Sequence, residues 1–295
     1  MATVAGTRAA ERPRTTSERL VRFLNKSPVH IALALIALVW LAPTVGLLVT
    51  SFRPRQDIQV TGWWESFLQF RYTLENYQQV LTAQGMLEAF TNTLLIAVPS
   101  TIIPVVMASM AAYAFSWLSF PFRDGLFLIV VALLMIPLQV AFIPLLKLFA
   151  PTGLLNSFGA IWLTHTAFAL PFGIFLLRNF FITLPKDLIE AARIDGSSTI
   201  GIFRTIVVPL SVPAIAAYGI FQFLWVWNDL LMALVFVQRG DMWPMTKAIQ
   251  NLLTQYGTEW HLLAAGAFIL MAVPLLVFFS LQRYFVQGLL AGSVK

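Results

Sequence analysis

The sequence has few charged residues and no cysteine. Lys, Arg, Asp and Glu make up 11% of the 295 residues, against roughly 25% in soluble proteins, whereas hydrophobic residues make up 59%. This balance excludes an ordinary soluble domain and indicates an integral membrane protein. The absence of cysteine excludes disulfide bonds, thiolate catalysis and cysteine-ligated metal sites.

Motifs for catalysis are also missing. No glycine-rich loop precedes Lys147, Lys186 or Lys247, so the chain has no Walker A site for ATP. It contains neither an HExxH metal motif nor paired carboxylates in its apolar runs. We therefore predict that the chain is not an enzyme, holds no metal and binds no cofactor of its own. If it moves solute actively, the energy enters from a partner protein.

Long apolar runs predict an all-α polytopic membrane protein with six spans. Residues 1–30 are polar and basic, and we interpret the uncharged run that follows, Ile31–Thr50, as a retained span. A secretory signal is the alternative, but its basic region is usually much shorter. The other spans are predicted within Ala89–Phe122, Gly125–Leu146, Ser157–Leu177, Thr205–Asn228 and Leu262–Gln282. The predicted organisation is a basic segment at 1–30 and a six-helix domain at 31–295.

The distribution of basic residues predicts the orientation. Of the 19 Lys and Arg residues, 13 fall on the side of the N-terminus and six on the other. Because cytoplasmic loops carry the excess of basic residues, both termini are expected in the cytoplasm. The net charge of +6 is then explained by orientation and not by nucleic acid binding.

The longest polar interruption in the C-terminal two thirds of the chain, Leu184–Pro209, predicts two short helices. Pro185 suits the first position of a helix, and Asp187 places a negative charge near its N-terminus. Asp195-Gly196 should end it, because glycine accepts the left-handed conformation common at helix C-termini. The predicted shared face consists of Leu188, Ala191, Ala192 and Asp195. A second helix should begin at Ser197 or Ser198 and continue until Pro209 redirects the chain.

This stretch resembles the EAA signature of the membrane subunits of bacterial ABC importers. Glu190-Ala191-Ala192 is followed at the expected spacing by Gly196, Ile206 and Pro209, and Val208 stands where the pattern has Leu. The triplet Trp227-Asn228-Asp229 and the tail QRYFVQGLLAGSVK are similar to the second permease subunit of maltose-type sugar importers. The resemblance covers nearly the whole chain after about residue 30.

The resemblance implies the type I ABC importer permease fold with a cytoplasmic coupling loop at 183–209 and an extracytoplasmic loop at 238–261. It implies a permease subunit of an ATP-driven sugar importer in the cytoplasmic membrane. The residues implied to couple to the ATPase are Glu190, Ala191, Ala192, Asp195 and Gly196. Implied partners are a second permease, an ATPase pair that holds ATP and Mg, an extracytoplasmic sugar-binding protein and membrane lipid. The alternative for Glu190 is a simple surface pair with Arg193.

Five neutral polar residues in the spans are candidates for the solute path: Asn92, Gln139, His165, Gln222 and Asn228. Such a belt suits a hydroxyl-rich solute, whereas a cation path would normally include acidic residues. The alternative is that these side chains tie helices together. A proton relay at His165 is disfavoured because no acidic partner is expected at its depth. Asp229, about 30 Å from Pro209 along a straight helix, is expected at the outer mouth.

Three alternatives remain at the level of the sequence. The EAA pattern does not select a cargo, so an ABC permease for another small solute is the first. An ion-coupled secondary carrier would show internal repeats and ionisable residues within its spans. A membrane receptor or scaffold would neither transport solute nor stimulate an ATPase.

Overall fold

The computed structural model describes residues 16–82, 85–255 and 259–291. Within these ranges the chain is helical and contains no strand. Half of the basic N-terminal segment, residues 1–15, lies outside the described residues, as do residues 256–258 in the loop at 238–261 and the last four residues of the tail.

The described helices, in chain order, are α1 (Thr16–Ser51), α2 (Arg55–Val60), α3 (Ser66–Gln69), α4 (Glu75–Thr82), α5 (Met86–Trp117), α6 (Arg123–Leu133), α7 (Phe142–Phe149), α8 (Phe158–Phe181), α9 (Lys186–Ile194), α10 (Thr199–Ile202), α11 (Val208–Leu210), α12 (Val212–Trp227), α13 (Leu231–Phe236), α14 (Met245–Gln255) and α15 (Trp260–Ala291). Short 3₁₀ turns lie at Trp63–Glu65, Leu138–Ala141 and Gly240–Met242, and a π-helical turn lies at Phe203–Val207.

Four described helices are long and apolar enough to cross a membrane: Pro28–Ser51, Met86–Trp117, Phe158–Phe181 and Trp260–Arg283. The number of spans rises to six when each of two sharply bent helix pairs is counted as one span. The six apolar segments predicted from the sequence are therefore present, but two of them are broken.

The third predicted span, Gly125–Leu146, is not a single helix. Helix α6 stops at Leu133, and the segment Leu138–Phe149 continues at 97° to it. Pro137 precedes the intervening 3₁₀ turn; it has no amide hydrogen to continue the helix and disfavours helical geometry at the preceding residue. Gln139 lies in this turn, so its depth cannot be counted along a straight helix.

The fifth span is broken at Ser211. The segments Thr199–Leu210 and Val212–Trp227 meet at 78°. We expected Pro209 to redirect the chain, but the helix continues through it for one further residue. Pro213 lacks the N–H that would bond back across the break, which explains why the new helix begins at Val212.

The centre of the protein is formed by α5, α8 and α12, with α15 packed along α12 and α1 packed on α15. One core cluster joins α5, α8, α9 and α12; it includes Ala108, Ala112, Leu177, Phe181, Ile189, Ala192 and Tyr218. The predicted coupling loop is therefore seated on the helical body through its own apolar residues.

Candidate coupling and solute sites

Helix α9 has the termini that the sequence predicts. Pro185 immediately precedes its first residue, one position earlier than expected, and Asp187 lies in the first turn. At the other end Gly196 has φ of +80°. The Gly196 amide donates to the Arg193 carbonyl at 3.1 Å, and the next amide donates to the Ala192 carbonyl at 2.9 Å. This pair of bonds is the Schellman motif, which stops the helix at Asp195.

The predicted face of α9 is divided between two environments. Ile189 and Ala192 are buried against the chain's own core. Ile189 is not on the predicted face, so Ala192 is the one member of that face that is buried. The other members, Leu188, Ala191 and Asp195, are exposed, as are the candidates Glu190 and Gly196. Ile194 is also 86% exposed. The helix thus uses one side to bind its own chain and presents a second, partly aliphatic side outward.

Glu190 does not pair with Arg193. The Arg193 guanidinium instead donates to the Trp117 carbonyl at 2.8 Å. None of the described residues forms an ion pair with Glu190. Its carboxylate is therefore available to a basic group from outside the chain.

The second short helix begins as predicted at Ser198. Its hydroxyl accepts a hydrogen bond from the Gly201 amide at 3.1 Å. The Tyr113 hydroxyl of α5 donates to the Thr199 carbonyl at 3.1 Å, and its ring packs on Phe203 at 5.2 Å. These contacts fix the far end of the loop to α5.

The expectation that no acidic residue lies near His165 is wrong. His165 Nε2 lies 3.8 Å from Asp229 Oδ2, and the imidazole is only 1% exposed. Neither ring nitrogen has a hydrogen-bond partner among the described residues, and the Trp225 ring lies edge-on at 5.2 Å. The predicted depth of Asp229 assumed one straight helix from Pro209. The helix is instead broken at Ser211, and α12 ends at Trp227, before Asp229. The carboxylate also accepts from the Met232 amide at 3.0 Å and so caps α13.

Asn92 and Gln222 are committed to backbone carbonyls. The Asn92 amide donates to the carbonyls of Asp241 at 2.9 Å and Trp243 at 3.2 Å. The Gln222 amide, on α12, donates to the Ser100 carbonyl of α5 at 2.9 Å. Both side chains are buried. This is the geometry expected of residues that tie elements together.

Gln139 and Asn228 are exposed. The Gln139 side chain forms no hydrogen bond among the described residues, although its backbone carbonyl accepts from the Phe142 amide. The Asn228 amide nitrogen donates to the Leu224 carbonyl of its own helix at 2.8 Å, which leaves its oxygen unpaired within the described chain. These two amides can therefore bond a hydroxylated solute without breaking a contact between helices.

The loop at 238–261, predicted to be extracytoplasmic, is anchored by hydrogen bonds where the structure describes it. Thr93 Oγ1 accepts from the Met245 amide at 2.8 Å. Thr246 donates to the Asp229 carbonyl at 2.7 Å. Lys247 is buried and donates to the Val237 carbonyl, and burial lowers the pKa of its amine. The loop therefore has an ordered core that includes α14.

Residues 104–290 match the family described as "Binding-protein-dependent transport system inner membrane component". This range contains the whole predicted coupling loop at 183–209, both bent spans and the loop at 238–261.

Three curated relatives are similar over much of this chain. The osmoprotective compounds uptake permease protein GgtD of Synechocystis sp. is 53% identical over 95% of each chain. The alpha-glucoside transport system permease protein AglG of Rhizobium meliloti is 51% identical over 76% of this chain and 61% of its own length. The arabinooligosaccharides transport system permease protein AraQ of Halalkalibacterium halodurans is 34% identical over 90% of this chain and 95% of its own.

Solved structures share the fold. A chain of a bacterial ABC transporter involved in the import of alginate has a TM-score of 0.72 at 22% identity, covering 92% of this chain and 99% of its own. A chain of the bacterial alginate ABC transporter in complex with an alginate pentasaccharide-bound periplasmic protein has a TM-score of 0.66 at 14% identity, covering 90% and 96%.

Proposed function

The chain belongs to the family of binding-protein-dependent transport system inner membrane components, and from this premise we propose that it is one of two permease subunits of an ATP-driven sugar importer. As a member of this family it is a multi-pass inner membrane protein and a transport component, not a catalytic subunit. It alternates between inward-open and outward-open states when nucleotide closes an attached ATPase pair.

The observation that carries this proposal is the geometry of α9. Its buried residues bind the helix to the bundle, while Glu190, Ala191 and Asp195 are left exposed beside the turn at Gly196. A helix of nine residues is only marginally stable by itself in water, so it depends on packing. Its outward side, with unpaired charge and exposed aliphatic groups, suits contact with a docking partner. Since the sequence contains no Walker A motif, we propose an ATPase pair, with its ATP and Mg, as that partner. Ala192, which is buried, positions the helix.

The proposed assembly has this chain, a second permease, two ATPase subunits and an extracytoplasmic sugar-binding protein. Both termini and the coupling loop face the cytoplasm. The loop at 238–261 faces the binding protein, and its ordered core suits a surface that has to present a fixed shape.

Within the proposed solute path, Gln139 and Asn228 contact the sugar directly. Amide groups donate to and accept from hydroxyls, which is the chemistry a polyol needs. Asn92, Gln222 and His165 shape the path from its wall, because the first two are already bonded to carbonyls and the third is buried. We expect Gln139→Ala and Asn228→Ala to raise the solute concentration at half-maximal transport without lowering the amount of assembled complex.

The proposal is tested on the purified complex in proteoliposomes, with binding protein and sugar added outside. Glu190→Lys should leave the chain inserted and abolish solute-stimulated ATPase, because it places like charges at the docking contact. Asp124→Lys is the matched control, since this exposed carboxylate lies at the start of α6, outside the coupling loop. Unchanged activity in the Glu190 variant, or a chain that purifies without any ATPase, would refute the assignment.

A second candidate is uptake of an osmoprotective compound, favoured by the 53% identity to GgtD. The two candidates are separated by adding either an osmoprotective compound or a sugar, each with its binding protein. Stimulation of the ATPase by the osmoprotective compound and not by the sugar would favour this second candidate. An ion-coupled carrier would instead use the buried pair of His165 and Asp229. Its uptake would stop when the proton gradient is collapsed and persist without ATP.

A further inference from the structure

A crevice lies at the end of the first span, away from the coupling loop. It has a volume of about 320 Å³ and is bounded by α1, by the segment that follows α1 and by Trp260 at the start of α15. In the orientation proposed above it opens at the outer leaflet. None of the transport roles assigned to this chain uses it.

The upper part of the crevice holds an arginine without a counter-charge. The Arg53 side chain lines it and is 3% exposed. One guanidinium nitrogen donates to the carbonyls of Asp57 and Thr61, but Nε is buried without an acceptor. The neighbouring Asp57 carboxylate pairs with Arg71 at 3.5 Å. Among the described residues no carboxylate pairs with Arg53, so the site favours an anion.

The lower part of the crevice is apolar and follows one face of α1. Pro43, Gly46, Leu47 and Thr50 recur at intervals of three and four residues, which covers about 10 Å of helix. Gly46 lets Trp63 approach the helix, because a Cβ at this position would lie 2.9 Å from the Trp63 indole nitrogen. Tryptophan is typical of the boundary between hydrocarbon and headgroups. The crevice is therefore cationic where headgroups lie and apolar where acyl chains lie.

We propose that this crevice binds one phospholipid, with its phosphate against Arg53 and one acyl chain along the Pro43–Thr50 face of α1. The lining residues include one cation and no acid. An ammonium headgroup would find no acidic partner there, so the site prefers phosphatidylglycerol to phosphatidylethanolamine. The leaflet rests on the proposed orientation, whereas the lipid chemistry does not depend on the transported solute.

The test uses the intact transporter complex in nanodiscs that contain equal amounts of the two lipids. After transfer to mild detergent, retained lipid is counted by native mass spectrometry. We expect one phosphatidylglycerol per copy of this chain, and we expect Arg53→Gln to lower its retention by about tenfold or more, because a charge-assisted hydrogen bond is lost.

Since Arg53 also bonds two carbonyls, a second variant leaves the arginine in place. Leu47→Trp should fill the apolar part and reduce retention to a similar extent. Leu38→Trp, on the opposite side of α1 and 64% exposed, is the matched control and should retain the lipid.

Equal retention in Leu47→Trp and the unaltered complex, or equal retention of the two lipids, would overturn the proposal. Displacement of the lipid by millimolar inorganic phosphate would also overturn it, since the site would then recognise phosphate alone. Recovery of the complex without bound lipid would overturn it as well. Stimulated ATPase, measured on the same preparations, reports the transport role separately, so either proposal can fail alone.

Discussion

Replacing Gly196 tests whether the left-handed end of α9 is needed for coupling. An added Cβ would meet nothing within 4 Å, so the substitution creates no clash and its cost is that of the backbone conformation. A non-glycine residue in the left-handed helical region costs roughly 1–2 kcal/mol. That cost lowers the population of the required conformer by about 5- to 30-fold relative to its competitors. Solute-stimulated ATPase in proteoliposomes should fall in Gly196→Ala by up to this factor.

Three related variants make this prediction specific. Gly196→Asn should retain more activity than Gly196→Ala, because asparagine tolerates the left-handed region. Gly196→Pro should abolish stimulation, because proline cannot adopt φ of +80° and cannot donate to the Arg193 carbonyl. Gly125→Ala, in open space at the start of α6 and without a positive φ, should be silent. Full ATPase stimulation in Gly196→Ala, or lower stimulation in Gly196→Asn than in Gly196→Ala, would refute the reasoning.

Two further substitutions test the packing of the bundle and the attachment of the outer loop. A Cβ at Gly173 would lie 2.3 Å from the buried Tyr218 ring, so Gly173→Ala should destabilise the assembled protein by about 1–3 kcal/mol. The midpoint of its thermal unfolding in detergent should therefore drop. Gly219→Ala is the control and should leave the midpoint unchanged, because its Cβ would make only ordinary van der Waals contacts. Asn92→Ala removes two hydrogen bonds to carbonyls of the outer loop, so amide exchange at residues 240–243 should rise by about fivefold to a hundredfold. Unaltered exchange there would show that the loop is held by other contacts.

The sequence is informative where a local pattern determines the geometry. The end of α9 at Gly196 and the cap at Ser198 follow from side-chain chemistry within a few residues, and both were predicted. The six apolar segments follow from length and composition. The division of the α9 face was not predicted, because helical spacing groups Ala191 with Ala192 but does not tell which of them meets the body of the same chain.

Contacts between segments distant in the sequence were beyond this reasoning. The 3.8 Å approach of Asp229 to His165 joins residues 64 positions apart and depends on how the end of α12 packs beside α8. The role of Asn92 depends on carbonyls about 150 positions away. The isolated charge of Arg53 is visible only once Asp57 is known to pair elsewhere. Pro137 and Pro144 in the third apolar run indicate a departure from a straight helix, but the angle of 97° depends on packing that the sequence does not show.

The two helices that flank the coupling loop are joined at several levels. Their inner ends are connected by the loop itself, and Gly173 leaves the space in which Tyr218 of α12 reaches α8. Its hydroxyl donates to the Ala169 carbonyl at 3.0 Å. At the outer ends His165 and Asp229 lie 3.8 Å apart. In the proposed assembly, where an ATPase docks on α9, a displacement of α9 would act on one packed unit that reaches the loop at 238–261, since packed side chains and hydrogen bonds can carry coupling between distant sites.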